Sequence, residues 1–92
     1  MWPIELTRYA DKQQKKLPVK IRELLLLLVS EMEEDGPHIR NWPNFGKLKG
    51  SINKYHCHLK KGRPTYVACW DVDRDKKRIE VYYVGTHEKA PY

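Results

Sequence analysis

The feature that most constrains this chain is a change of hydrophobic period near residue 52. Before it, Ile21, Leu24, Leu25, Leu28 and Met32 recur at helical spacing. After it, three short segments alternate between apolar and polar residues, at 54–60, 66–72 and 78–84. Lys61-Gly62-Arg63-Pro64 and the run Asp73 to Lys77 separate them as turns. Short turns between alternating segments predict an antiparallel meander. Upstream, Trp2 to Leu6 reads as a short first strand. Thr7 is placed to cap a helix that runs to about Leu17. Pro18 suits the first position of a second helix, which Gly36-Pro37 ends. Acidic residues in that last turn oppose the helix dipole, so a loose C-terminus is expected. Residues 37–51 read as irregular. The whole is an α+β fold of one domain, residues 1–92: an N-terminal strand and two helices against a sheet completed by a three-stranded meander. Two helices cover only one face of such a sheet and leave the other for work.

The leucines at 24–28 exceed what one stripe needs. Burial between the sheet and the first helix is the favoured expectation. A partner groove lined by Leu26 and Leu27 is the alternative.

Alternation sorts the first meander strand, YHCHLKK. Tyr55, Cys57 and Leu59 point one way and should meet the helices; His56, His58 and Lys60 point the other. Cys57 then belongs to the core. Trp42 and Trp70 are expected as core or loop anchors, and His38 as a loop residue. The two cysteines read as reduced thiols rather than a disulfide framework.

Charge is segregated. The net charge is +6, yet residues 37–69 contain no Asp or Glu and hold Arg40, Lys47, Lys49, Lys54, Lys60, Lys61 and Arg63. One positive face is expected, and phosphate is the commonest partner for such a face. The start, MWPIELTRYAD, lacks the basic and apolar regions of a signal peptide, and the longest apolar run, Leu24 to Val29, is far short of a membrane span. The expected location is the cytoplasm, with no membrane association.

Zinc is a rival reading of His56 and His58, with His87 or Cys69 completing the site. The usual CxxC and HxxxH spacings are absent, Cys57 should face away, and the surroundings hold lysines rather than carboxylates. No metal or other cofactor is expected.

In order and spacing, KLKG at 47–50, YHCHL at 55–59, TYVACWDVD after the Gly62 turn, and VGTHEKAPY at 84–92 resemble the RelE/HigB family of bacterial toxins. The resemblance spans nearly the whole chain. It implies a RelE-like fold and a toxin held inactive by a cognate antitoxin. It also implies a metal-independent endoribonuclease, an mRNA interferase, that cuts mRNA in the ribosomal A site. The matching catalytic positions are His56, His58, His87 and Tyr92, with Lys47, Lys49, Lys54, Lys60 and Arg63 as RNA- or phosphate-binding residues. The chain departs from the family in two ways. Histidines stand where Lys or Arg is common. The strand arginine of many members falls at or near Val67. Arg63, in the preceding turn, is its available substitute. Two other readings remain at this point: a ParE-like toxin that acts on DNA gyrase without RNase chemistry, and a small basic nucleic-acid-binding module.

Overall fold

The structure, a computed structural model, describes residues 1–92. Its elements run β1 (Ile4–Leu6), α1 (Arg8–Lys15), α2 (Val19–Asp35), β2 (Gly46–Lys47), β3 (Lys54–Lys60), β4 (Tyr66–Asp73) and β5 (Arg78–Thr86), with a final 3₁₀ turn, His87–Lys89. The sheet order is β1-β5-β4-β3-β2. β1 is parallel to β5 and the other pairs are antiparallel. This is the α+β architecture read from the change of period, with β2 added as a two-residue edge strand.

Local chemistry sets the helix ends. The Thr7 hydroxyl accepts from the Ala10 N–H at 3.1 Å and caps α1. Arg22, one turn into α2, donates to the carbonyls of Gln14 and Lys15 at 3.1 and 2.7 Å, which caps the other end of α1. Pro18 lies one position earlier than expected, at the N-cap: its ψ of 148° is extended, while its carbonyl already accepts the first α2 bond from Arg22 N. The last turn of α2 is held rather than loose. Gly36 N–H donates to Met32 O and Trp2 N–H to Glu33 O, each at 2.9 Å. Gly36 has φ +87°, and a Cβ there would lie 3.1 Å from the Trp2 indole nitrogen.

Both helices pack on one face of the sheet. Ala10, Leu17, Ile21, Leu25, Leu28 and Met32 meet Tyr55, Cys57, Leu59, Ala68, Trp70, Val72, Ile79, Val81 and Val84 in one core, which Ile39 and Trp42 close at one end. Cys57, Trp42 and Trp70 are therefore core residues as read. The leucine run divides. Leu25 and Leu28 are buried and Leu24 is half-buried, but Leu26 and Leu27 are 63% and 50% exposed. Burial of the whole run is thus corrected: α1 is only eight residues long and crosses β5 rather than covering the outer side of α2. No helix is long and apolar enough to cross a membrane.

Candidate active site

The opposite face of the sheet has a small apolar floor of Val67, Cys69 and Tyr83. His56 pairs with Cys69 and His58 with Val67, so both imidazoles stand on that floor, as strand alternation requires. Nδ1 of His58 is buried against it without a hydrogen-bond partner, which leaves Nε2 facing outward.

The C-terminal segment brings the other two groups. Tyr83 lies along its own strand over Gly85, and its hydroxyl donates to the Thr86 carbonyl at 2.7 Å. His87 N–H donates to Thr65 O at 2.8 Å, and Ala90 N–H to His87 O at 3.2 Å. These bonds fold 87–92 back over the sheet. The His87 ring reaches 5.4 Å from His58, edge to face, and 5.8 Å from Tyr92. The Tyr92 ring sits 4.7 Å from His56, with its hydroxyl 3.3 Å from His56 Nδ1. His56 and His58 are 6.5 Å apart, centroid to centroid. The structure thus brings His56, His58, His87 and Tyr92 into one cluster from two segments far apart in sequence.

Burial shifts the cluster toward neutral forms. Partial burial, then the charge of His87, lowers the pKa of His56. Burial, then His87, His56 and Lys61, lowers that of His58. Burial pushes the Tyr92 phenol up to about 12, so it is a hydrogen-bond donor at neutral pH. No three His, Cys, Asp or Glu side chains converge as a metal-binding group.

The predicted phosphate-binding residues separate. Lys54 lies on the histidine face, its ammonium 5.1 Å from the Tyr82 ring centroid. Arg63 and His87 border the same surface hollow, with Thr65 and Glu88. Lys49 is exposed in the turn between β2 and β3. Two lysines lie elsewhere. Lys47 pairs with Tyr55 and so faces the helix side. Lys60 was expected beside His56 and His58, but the register shifts between His58 and Lys60, so that Lys60 pairs with Tyr66. One extra residue turns its side chain to the helix side, where it borders a hollow with Lys20, Glu23, Leu24 and Leu27.

Sequence reasoning missed Tyr82 and Tyr83. A second irregularity sets Cys69 opposite Tyr83 and Trp70 opposite Val81, which leaves Tyr82 as the extra residue of β5. Both tyrosines then pack with the open-face cluster. The doubled tyrosine in an otherwise alternating strand was the one available signal.

The sequence matches no family model and no curated protein. Solved structures do match. An archaeal RelE–RelB complex from Pyrococcus horikoshii OT3 contains a chain 19% identical, with TM-score 0.78 over 97% of this chain and 98% of that one. Isolated E. coli RelE toxin is 24% identical, with TM-score 0.77 over 99% and 89%. The E. coli RelBE toxin–antitoxin complex gives 25% identity and TM-score 0.77 over 97% and 100%. The chain has the fold of RelE-type toxins. The histidine face lies on the sheet surface of this RelE-type fold that its helices leave uncovered.

Proposed function

We propose that the chain is the toxin of a toxin–antitoxin pair and cleaves mRNA on the ribosome. The observation that carries this reading is the convergence of three imidazoles and a phenol on the open face of a RelE-type fold. Cleavage by this set is a transesterification. The ribose 2′-oxygen forms a bond to the adjacent phosphorus, the bond from phosphorus to the 5′-oxygen breaks, and a cyclic phosphate and a 5′-hydroxyl result. One group takes the 2′ proton and another gives a proton to the 5′-oxygen. The lowered pKa values of His56 and His58 suit a neutral imidazole base. His58 takes that part, with its outward Nε2 and its ring against His87. His87 is the acid. Tyr92, whose hydroxyl lies 3.3 Å from His56 Nδ1 in the free protein, turns its one O–H to a phosphate oxygen when RNA is bound. Arg63 and Lys54 supply positive charge at the two ends of the face. The site is shallow and open, so the ribosome serves to position the strand.

The partners follow from this reading. The substrate is mRNA on the ribosome, which places the protein in the cytoplasm. A cognate antitoxin holds it inactive; solved RelE–RelB and RelBE complexes show such pairing for the proteins in them.

Primer extension on a defined mRNA, with and without 70S ribosomes, tests the proposal. Cuts should appear only with ribosomes. His87→Ala should slow them roughly 10²–10⁴-fold, as expected for loss of a general acid, and Tyr92→Phe by about 10²-fold. Full activity in both variants would sink the catalytic assignment. Intact mRNA together with gyrase inhibition would favour the ParE-like reading.

A further inference from the structure

Lys47 does not share a face with the histidines, and what it does share points to a second site. Tyr55, its partner in the β2–β3 ladder, is buried at the end of the core that residues 37–51 close. The Tyr55 hydroxyl is held from two sides. Arg74, in the β4–β5 turn, donates to it through Nη2 at 2.7 Å, and His38 Nε2 lies 3.1 Å away. The His38 ring stands edge-on to both Tyr55 and Phe45, with centroids at 5.1 and 6.2 Å. Tyr55, Phe45 and Trp70 stack behind it. His38, Arg40, Lys47 and Arg74 are all exposed around this aromatic base.

None of the three permanent cations is in an ion pair. The ion pairs of the chain are Lys15–Asp11 and Arg78–Glu5, so Arg40, Lys47 and Arg74 have no carboxylate within 4.0 Å. Arg74 is the informative case. It is flanked in sequence by Asp73 and Asp75, yet its guanidinium hydrogen-bonds a neutral phenol. Those carboxylates line a hollow that Arg74 itself borders, with Asp71, Arg78 and Glu80, yet none of them lies within 4.0 Å of its guanidinium. After burial, the charges of Arg74, Arg40 and Lys47 are what lower the His38 pKa, and no acid offsets them. A guanidinium fixed by one hydrogen bond, with other N–H groups free, is preorganised for a phosphate.

We infer that His38, Arg40, Lys47 and Arg74 form a second phosphate-backbone site, on the helix side of the sheet, that grips a structured RNA while the histidine face holds the strand to be cut. The exposed groups here are cationic or imidazole, with no exposed apolar anchor among them. That composition suits an RNA backbone better than a protein surface. The acids of the neighbouring hollow repel a polyanion and confine it to the β2 side. The inference rests on the ribosomal reading for the identity of the RNA, but its test does not depend on cleavage.

The test measures binding of the catalytically disabled His87→Ala protein to 70S ribosomes, to an unrelated RNA duplex, and to a short single-stranded RNA, each over a range of salt. Adding Arg40→Gln and Arg74→Gln should weaken binding to ribosomes and duplex by about tenfold or more. It should lower the slope of log affinity against log salt by about 2. Affinity for the short single strand should stay within about twofold. Lys47→Gln makes no hydrogen bond here to lose, so it guards against a folding artefact; it should lower the slope by about 1 with an unchanged melting temperature. Unchanged ribosome and duplex binding in both variants would overturn the inference. Equal loss on the single strand would also overturn it, because the patch would then belong to the histidine site. Failure of the ribonuclease proposal alone would show as wild-type protein that binds normally and does not cut.

Discussion

Gly85→Ala tests how the C-terminal arm of the site is held. Tyr83 and Gly85 face the same side of β5, and the tyrosine ring lies over the glycine to reach the Thr86 carbonyl. A Cβ at residue 85 would lie 2.9 Å from the Tyr83 hydroxyl and 3.1 Å from Cζ. The ring has little room to move, because Tyr83 is only 4% exposed and packs on Val67 and Cys69. Overpacking of this kind costs about 1–3 kcal/mol. Losing the hydroxyl–carbonyl bond adds about 0.5–1.5 kcal/mol. A total of about 1.5–4.5 kcal/mol should lower the melting temperature by at least about 6 °C in a domain of this size. The assay is thermal unfolding by circular dichroism of wild type, Gly85→Ala, Tyr83→Phe and the double variant. Tyr83→Phe removes the atom at 2.9 Å but leaves Cζ, so the double variant should recover only part of the loss, with a coupling of about 1 kcal/mol. Gly85→Ala should also slow cleavage at temperatures where the variant is still folded, since release of Thr86 frees His87. A melting temperature within about 2 °C of wild type, or strict additivity in the cycle, would refute the contact as the reason for glycine.

Three further outcomes are expected. The folded-state pKa values of His38, His56 and His58 lie below the ordinary histidine value, so the unfolded chain takes up protons first as pH falls; their stabilisation is full above about 6.5 and is lost below it toward the folded values. Melting temperature should therefore fall between about pH 7.5 and 5.5, and His58→Gln should flatten the profile; a flat wild-type profile would contradict the burial of these rings. Leu28→Ala should cost about 2–5 kcal/mol in chemical denaturation, whereas Leu26→Ala should stay within about 0.5 kcal/mol, because Leu28 is fully buried and Leu26 is 63% exposed. Burial raises both cysteine thiols to about 12, so Cys57 and Cys69 should resist a thiol reagent at pH 8 in the native protein and react on unfolding; rapid labelling of native protein would show that the sheet opens.

Most of the architecture was legible because periodicity is a direct record of which face meets the core. The change of period gave the helices and the meander, and β3 runs over the expected 54–60. What alternation cannot register is one extra residue. Leu59 shifts the register of β3, so Lys60 leaves the face that His56 and His58 share. Tyr82 does the same in β5 and adds an aromatic to the open side. Lys47 lay in a segment too short and irregular to carry a period, so its face had to come from pairing with Tyr55. His38 gave no signal at all, since its partners Tyr55 and Arg74 lie 17 and 36 positions away (residues 55 and 74).

The divided lysines change what the open face can do alone. With Lys47 and Lys60 on the other side, the fixed positive charge near the reacting phosphate reduces to Arg63, Lys61 and Lys54. Burial, then the charge of His87, lowers the pKa of His56 and His58, so these two cannot replace permanent cations at neutral pH. A bound phosphate reverses that balance, because it stabilises an imidazolium beside it. RNA binding should therefore take up protons, and affinity for a short single strand should rise as pH falls from about 8 to 6, while the free protein loses stability over the acid part of that range. His56→Lys should raise affinity at pH 8 and weaken its dependence on pH. If affinity is the same at both ends of that range, the histidines do not contact phosphate and the face binds RNA through its arginine and lysines alone.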